Sequence, residues 1–219
     1  MPVVQDNIEG AAPVEIGRRE RKKQATRQAI HEAAFVLAEE HGLGALTVEA
    51  ITERADVAPR TFFNYFASKE EAVIGWSPDF ASGFASALES RPAGEKILDS
   101  LRAVISEHLL DKDLTVEFFR RRMALIRSDQ TLTGYQASKW VDLESCLAEV
   151  IAKRVGGGEE ATTYGQMVAS VVASAVRSAV LRWSEEGGTK KVQDLIDEIF
   201  DWLAAGLPQP ARPGREGNK

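Results

Sequence analysis

A single cysteine, Cys146, occurs in the 219 residues. An intrachain disulfide and a cysteine-built metal cluster are both excluded, and a reducing compartment, the cytoplasm, is the expected setting. Histidine is nearly as scarce: His31, His41 and His108 lie far apart and form no HExxH pair, so no metal site is expected. No glycine-rich phosphate loop follows a strand, which leaves no cofactor and no catalytic residue to nominate, and the chain is read as a non-enzyme. A long apolar run is missing as well. The longest uncharged stretch, 161–176, includes Thr162, Thr163, Gln166 and Ser170, and falls short of the roughly 20 apolar residues that a membrane span needs. No apolar segment follows the early basic residues, so neither a secretory signal nor a membrane partner is expected. No stretch alternates apolar and polar residues in the manner of a strand.

What the chain has in quantity is helical material. Apolar residues make up 44% of it, enough for the core of one large helical body or two small domains. The net charge is −6, from 27 basic and 33 acidic residues, which argues against indiscriminate binding to nucleic acid. The segment from Arg18 to Arg27 runs against that balance, since Arg18, Arg19, Arg21, Lys22, Lys23 and Arg27 oppose only Glu20. Cations at the start of a helix meet the positive end of its dipole, so helix stability is not what places them there. For this segment alone two readings stay open: a solvated basic tail, and an arm that tracks a phosphate backbone. Residues 1–17 lack helical periodicity and 208–219 are rich in proline, glycine and charge; both are expected to be flexible tails.

From 18 to 41, Ile30, Ala33, Ala34, Leu37 and Ala38 make one buried helical stripe, and Gly42 supplies the stop. Next comes TVEAITERADVAPRTFFNYFASK, residues 47–69. Thr47 can accept a hydrogen bond from an orphan amide one turn on, Glu49 suits the positive helix end, and Val48, Ile51 and Ala55 face inward. Asp56 and Val57 make a turn, and aspartate tolerates left-handed backbone better than most residues. Pro59 opens a second short helix where its missing N–H costs nothing. That helix, predicted over 59–66, turns Phe62 and Phe66 inward and leaves Arg60, Thr61, Asn64 and Tyr65 on the other faces. Such a surface is too polar and aromatic for a core element and suits a recognition helix. Ser68 and Glu71 have capping-box spacing, so a further helix starts at once with Lys69 at its N-terminus, where ammonium and backbone amides can share one phosphate.

The run 19–74, with LTVEAITERADVAPRTFFNYFASKEEAV inside it, resembles the DNA-binding domain of TetR-family transcriptional regulators. Helix lengths, the turn, the Phe-Asn-Tyr-Phe segment and the following Ser-Lys-Glu match in order. The resemblance implies an all-α fold, with a three-helix helix-turn-helix domain over 18–68 and a larger ligand-binding and dimerisation domain over 69–207. It implies a homodimer on a palindromic double-stranded DNA operator, a mostly repressing role, and release by a small-molecule effector. It places Thr47, Thr61, Tyr65 and Lys69 on phosphates and turns Pro59, Arg60, Phe63 and Asn64 toward bases, beside the basic arm Arg18, Arg19, Arg21, Lys22 and Lys23. Asp56 stands where the family commonly has glycine. Ala58 replaces a frequent serine, removing a side-chain cap, and Phe63 replaces a frequent tyrosine, removing a phosphate contact while still able to press on a thymine methyl. The phrasing of RTFFNYF and of the DWLAAGL end of the last helix is similar to regulators with a mycofactocin-regulator type C-terminal domain, some of which answer to acyl-coenzyme A.

Beyond residue 68 the pattern stays helical, with predicted segments at 69–76, 78–90, 94–110, 115–128, 132–155, 161–186 and 192–207, and Pro78 able to separate the first two. Tyr164, Val168, Val171, Val172, Ala175, Ala179 and Trp183 read as one apolar stripe, and Val192, Leu195, Ile196, Ile199 and Leu203 as another. The small residues Ala169, Ser170, Ala173 and Ser174 allow close helix approach. Phe200, Trp202 and Leu207 widen the apolar surface of the last helix beyond one stripe, where the resemblance implies a four-helix dimer interface. Between these regions lie Phe80, Phe84, Leu101, Ile105, Phe118, Phe119, Met123, Ile126, Tyr135 and Trp140, which line an effector pocket in one reading and are plain core in the other. Arg122 interrupts the apolar face of Phe118, Leu125 and Ile126; it snorkels, pairs with Glu117 or a neighbouring helix, or meets an anionic ligand group. His108 is either a satisfied helix residue or a further ligand contact. The expected effector is mainly apolar, with an optional carboxylate or phosphate. The rival reading is a DNA-binding adaptor that recruits a protein partner without sensing a small molecule.

Overall fold

The computed structural model describes residues 17–76, 79–108 and 115–209. The expected tails lie outside these except for Gly17, Pro208 and Gln209, as does Pro78. Among the described residues the fold is all-α: ten helices and no strand. They are α1 (Arg18–Ala45), α2 (Val48–Arg54), α3 (Pro59–Phe62), α4 (Lys69–Ile74), α5 (Phe80–Glu89), α6 (Ile97–His108), α7 (Val116–Ser128), α8 (Gln130–Arg154), α9 (Glu159–Glu185) and α10 (Val192–Ala204). Gly42 breaks α1 near its end with φ 76° and ψ 159°, a conformation that the Cβ of other residues resists.

Two apolar cores hold these helices. The first joins Ile30 and Ala34 of α1, Ile51 of α2, Phe62 and Phe66, and Ala72, Val73 and Ile74 of α4, and it also takes Leu125 and Ile126 from α7 and Leu132 from α8. The boundary drawn from sequence at 68/69 therefore runs through one continuous core. Three short helices cannot bury enough apolar surface alone, and α4, α7 and α8 complete the burial. The second core joins Phe84, Leu88, Leu101, Ile105, Leu147, Ile151, Val172, Val176, Trp183, Ile196 and Phe200. Each fully buried side chain of this size contributes roughly 1.5–3 kcal/mol.

Helix α9 lies along α8 at a separation set by Gly165, where a Cβ would collide with the Ala148 carbonyl oxygen. The single stripe expected on α9 is in fact two. Val168, Val172, Ala179 and Trp183 are buried, together with Ala169 and Ala173, whereas Tyr164 and Val171 face outward with Met167 and Leu181. A long helix can carry separate apolar faces that a count of i, i+3 and i+4 positions merges. Phe200 likewise is buried against the second core rather than widening the surface, while Trp202 and Leu207 are exposed. By length and hydropathy alone α9 would qualify to cross a bilayer. Its buried residues are committed to the protein core, and Arg177 pairs with Glu144 on its flank at 3.3 Å.

Candidate nucleic-acid interface and effector region

The helix-turn-helix is built by local caps. Thr47 Oγ1 accepts from the Ala50 amide at 3.1 Å and opens α2, and Asp56 takes the left-handed conformation of the turn with φ 52°. Ala58 opens α3 with no side-chain cap, as its replacement of serine implies. Helix α3 ends at Phe62, earlier than the predicted Phe66, although the Phe66 amide still reaches the Phe62 carbonyl four residues back at 3.0 Å. Asn64 and Tyr65 donate instead to the carbonyls three residues back, Thr61 and Phe62, at 3.1 and 2.9 Å, so the recognition element is one helical turn followed by tight turns. Phe62 is 0% exposed and its neighbour Phe63 62%, with the two rings edge-on at 5.3 Å. Pro59, Arg60 and Asn64 are exposed and Thr61 and Tyr65 half-buried. α3 thus presents the residues expected to face bases while Phe62 anchors it.

Beside α3 runs a cleft of about 650 Å³ lined by Arg19, Lys22, Lys23, Thr26, Asn64 and Tyr65. Arg18, Arg19, Arg21, Lys22, Lys23 and Arg60 are exposed, and none has an ion-pair partner among the described residues, although Arg54 nearby pairs with Glu40 at 3.2 Å. Exposed positive charge, hydroxyls and amides along one groove have the chemistry that a phosphate backbone would require of a partner.

Two cations sit differently from expectation. Lys69 donates to the Leu43 and Leu46 carbonyls at 2.8 and 2.9 Å, so it ties the α1–α2 junction with two of its three protons. Arg27, counted in the basic run, turns inward: it donates to the Tyr65 carbonyl at 2.9 Å, to Gly75 at 3.2 Å and to Trp76, with its guanidinium 4.2 Å from the Phe66 ring centre. Burial, opposed by the fields of Glu71 and Asp79, lowers its pKa. The missed signal was available, because Arg27 falls on the same face of α1 as Ile30 and Ala34. One turn on, His31 is buried with Nδ1 2.8 Å from the Ala72 carbonyl. Gly75 has φ 78°, and a Cβ there would stand 2.5 Å from the His31 ring. Burial, then the charges of Arg122 and Arg27, lower the His31 pKa. Ser68 caps α4 through the Glu71 amide at 3.2 Å, and Glu71 returns to the Ala67 amide at 2.8 Å, one residue earlier than a capping box.

The candidate effector residues divide between the two cores. Phe84, Leu101 and Ile105 are buried in the second, with Phe80, Phe119 and Trp140 packed against it. Ile126 is buried in the first, with Phe118, Met123 and Tyr135 against it. Trp76 bridges the groups, stacked on Phe80 at 4.6 Å and edge-on to Trp140 at 5.1 Å. Burial pushes the Tyr135 phenol up to about 12. His108 is exposed, with Nδ1 3.1 Å from the Val104 carbonyl of its own helix and its ring 5.8 Å from Phe84. An ion pair with a neighbouring helix, one of the readings open for Arg122, is made instead by Arg121, which reaches both carboxylate oxygens of Glu39 on α1, Nε at 3.0 Å.

A helix-turn-helix presenting an unpaired basic cleft, joined through a shared core to a larger helical body, defines a DNA-binding regulator. Residues 30–73 match the family described as bacterial regulatory proteins, tetR family, and residues 95–208 match the MftR C-terminal domain. The chain belongs to the TetR family of transcriptional regulators, in the branch with an MftR-type C-terminal domain. It is 36% identical over 147 residues to the HTH-type transcriptional regulator TcmR of Streptomyces glaucescens, a match that spans 64% of this chain and 65% of TcmR. It is 27% identical over 191 residues to MftR of Mycobacterium tuberculosis (strain ATCC 25618 / H37Rv), a regulator named for mycofactocin biosynthesis, covering 85% of this chain and 93% of MftR. The fold is shared with SmeT, the repressor of the Stenotrophomonas maltophilia multidrug efflux pump SmeDEF, at TM-score 0.53 and 20% identity over 86% of this chain and 98% of SmeT. A SmeT–triclosan complex superposes at TM-score 0.55 with 19% identity, over 87% of this chain and 100% of that one.

Proposed function

We propose that the chain is a cytoplasmic repressor that binds a palindromic DNA operator as a homodimer and is released when a mainly apolar small molecule enters its C-terminal half. The observation that carries the DNA reading is the cleft between α1 and α3, where exposed unpaired cations flank a recognition turn bearing Arg60, Phe63 and Asn64. Phosphate contacts from Arg18, Arg19, Arg21, Lys22, Lys23, Thr47, Thr61 and Tyr65 set register, and the α3 ridge reads base edges. Lys69 keeps one proton for a phosphate.

Dimerisation is supported by an exposed apolar face: Tyr164, Met167, Val171 and Leu181 along α9, with Trp202 and Leu207 at the end of α10. A two-fold pair sets two recognition elements on half-sites ~34–36 Å apart, which a palindrome matches. Effector release is supported by the aromatic bridge. Arg27 ties the end of the recognition turn to Gly75 and Trp76, and Trp76 packs on Phe80 and Trp140 in the effector half. A ligand that prefers another tilt of these rings shifts the Tyr65 end of the turn, by as much as its affinity differs between the two states. SmeT, which shares the fold, is seen with triclosan bound.

Sedimentation of the purified protein together with footprinting on fragments of its own chromosome tests this reading. Two protected half-sites under a dimer, lost on adding an apolar effector, is the expected result. A strict monomer without a footprint overturns it, and ligand-insensitive footprints with a stable third protein favour an adaptor.

A further inference from the structure

Helix α7 is fastened at successive positions to two parts of the molecule. Its N-terminal end is seated on the end of α9. Arg120 donates through Nε to the Ser184 carbonyl at 3.0 Å, and the Phe119 ring meets Trp183 edge-on at 6.0 Å. Gly188, just past α9, comes so near that a Cβ there would stand 2.0 Å from Val116 Cγ2. Helix α9 carries the exposed Tyr164, Met167 and Val171 of the face proposed for dimerisation. One residue along from Arg120, Arg121 reaches the other way, to α1. Its guanidinium binds both carboxylate oxygens of Glu39, with Nε at 3.0 Å, and lies 5.5 Å from the Phe35 ring centre, while Phe35 packs on Phe118 at 5.1 Å. Adjacent residues of one helix thus join the proposed dimer helix to the helix that bears the basic cleft.

A helix-turn-helix held at one place can pivot, whereas one held at two places has a fixed tilt. Helix α4, packed on both α1 and α8, is the first attachment, and α7 is the second. Much of the second is apolar, through Phe118, Leu125 and Ile126, and apolar contact is non-directional. The fork between Arg121 and Glu39 is directional, because two parallel N–H···O bonds fix angle as well as distance. Its side chains are 47% and 23% exposed, so its worth for stability is small and its worth for geometry is the larger. In a two-fold dimer the tilt of α1 decides where each recognition turn points. One base pair added between half-sites moves them about 3.4 Å apart and turns one against the other by about 35°. We propose that Glu39 and Arg121 are positioning residues that fix the tilt of α1 on the C-terminal body and thereby set the half-site spacing that the dimer accepts. This rests on the two-fold operator reading above and adds the residues that decide its spacing.

The test uses the full-length protein and the footprinted operator duplex, together with duplexes in which one or two base pairs are added to or removed from its centre. The readout is the spacing penalty, the ratio of affinities for the native and altered duplexes. Glu39→Ala and Arg121→Met are each expected to shrink the wild-type penalty by about threefold or more while leaving the melting temperature within about 2 °C. The double variant is expected to shrink it no further, since either change alone already breaks the fork. Glu40→Ala removes the same charge one residue on, from a pair with Arg54 inside the helix-turn-helix, and is expected to keep the wild-type penalty. The proposal is overturned if Glu39→Ala and Arg121→Met retain the wild-type penalty, if their effects multiply in the double variant, or if Glu40→Ala loosens the spacing as much as Glu39→Ala does. Those results, with a wild type that still prefers one spacing, leave the two-fold reading standing. A wild type indifferent to spacing removes that reading and this one together.

Discussion

At the helix-turn-helix end, Arg18, Arg19, Arg21, Lys22, Lys23 and Arg60 stand exposed with no ion pair among the described residues. In the C-terminal body, by contrast, Arg91 binds Glu95 at 2.5 Å, Arg102 binds Asp197 and Asp201 at 2.7 and 2.8 Å, and Arg182 binds Glu186 at 2.7 Å. The paired cations fasten loops and helices, and their worth at the surface is small. The unpaired ones repel one another in the free protein, a repulsion that the proposed DNA backbone would relieve. In a chain of net charge −6, the proposed DNA face rests on that local reversal, which total charge does not show.

The sharpest form of the contrast lies at the C-terminal end of α3, in two adjacent phenylalanines. Phe62→Ala should cost about 3–5 kcal/mol, read as a lowered denaturant midpoint, because a filled core position becomes a cavity. Phe63→Ala should leave the melt within about 0.5 kcal/mol of wild type while losing discrimination at one base pair in operator binding. Equal effects on stability from the two would dissolve the distinction between anchor and reader. On the exposed apolar face of α9, Met167, 56% exposed, offers a comparable break: Met167→Asp should shift sedimentation from dimer to monomer and leave the monomer's helical content unchanged.

Arg60→Ala should reduce preference for operator over random DNA by about 1–3 kcal/mol if it makes a bidentate base contact; equal weakening on both DNAs would make it a backbone contact. The smallest expected effect concerns pH. The folded protein depresses the His31 pKa from 6.5, so the unfolded chain takes up the proton first as pH falls. Stability from this group is therefore full above about 6.5, falls by at most about 1.4 kcal/mol per pH unit below that value, and stops changing once the folded ring protonates. Melts of wild type and His31→Gln from pH 7 to 5 should show a shallower decline in the variant.

The parts of the fold legible in sequence were those set by short-range chemistry. The caps at Thr47 and Ser68, the left-handed Asp56 and the breaker at Gly42 each act within one turn, and the structure forms each of them. The length of α3 was overestimated because the chain between Phe62 and Phe66 tightens into three-back turns at Asn64 and Tyr65 before the Phe66 amide closes on the Phe62 carbonyl. Which arginine of Arg120, Arg121 and Arg122 finds a carboxylate depends on where α1 lies, and successive helix positions point about 100° apart, so sequence spacing alone left the fate of Arg122 open. The inward turn of Arg27 and the two faces of α9 likewise follow from packing across elements distant in sequence.

The central claim is that the exposed cations at the start of α1 are held free for phosphates. The salt dependence of binding to an operator duplex measures this directly, as the slope of log K against log salt. Replacing Lys22 and Lys23 with glutamine should lower the slope's magnitude by about two units, roughly one for each phosphate no longer neutralised, with sequence preference unchanged. A slope identical to wild type would show that these side chains do not touch the backbone and would contradict the account.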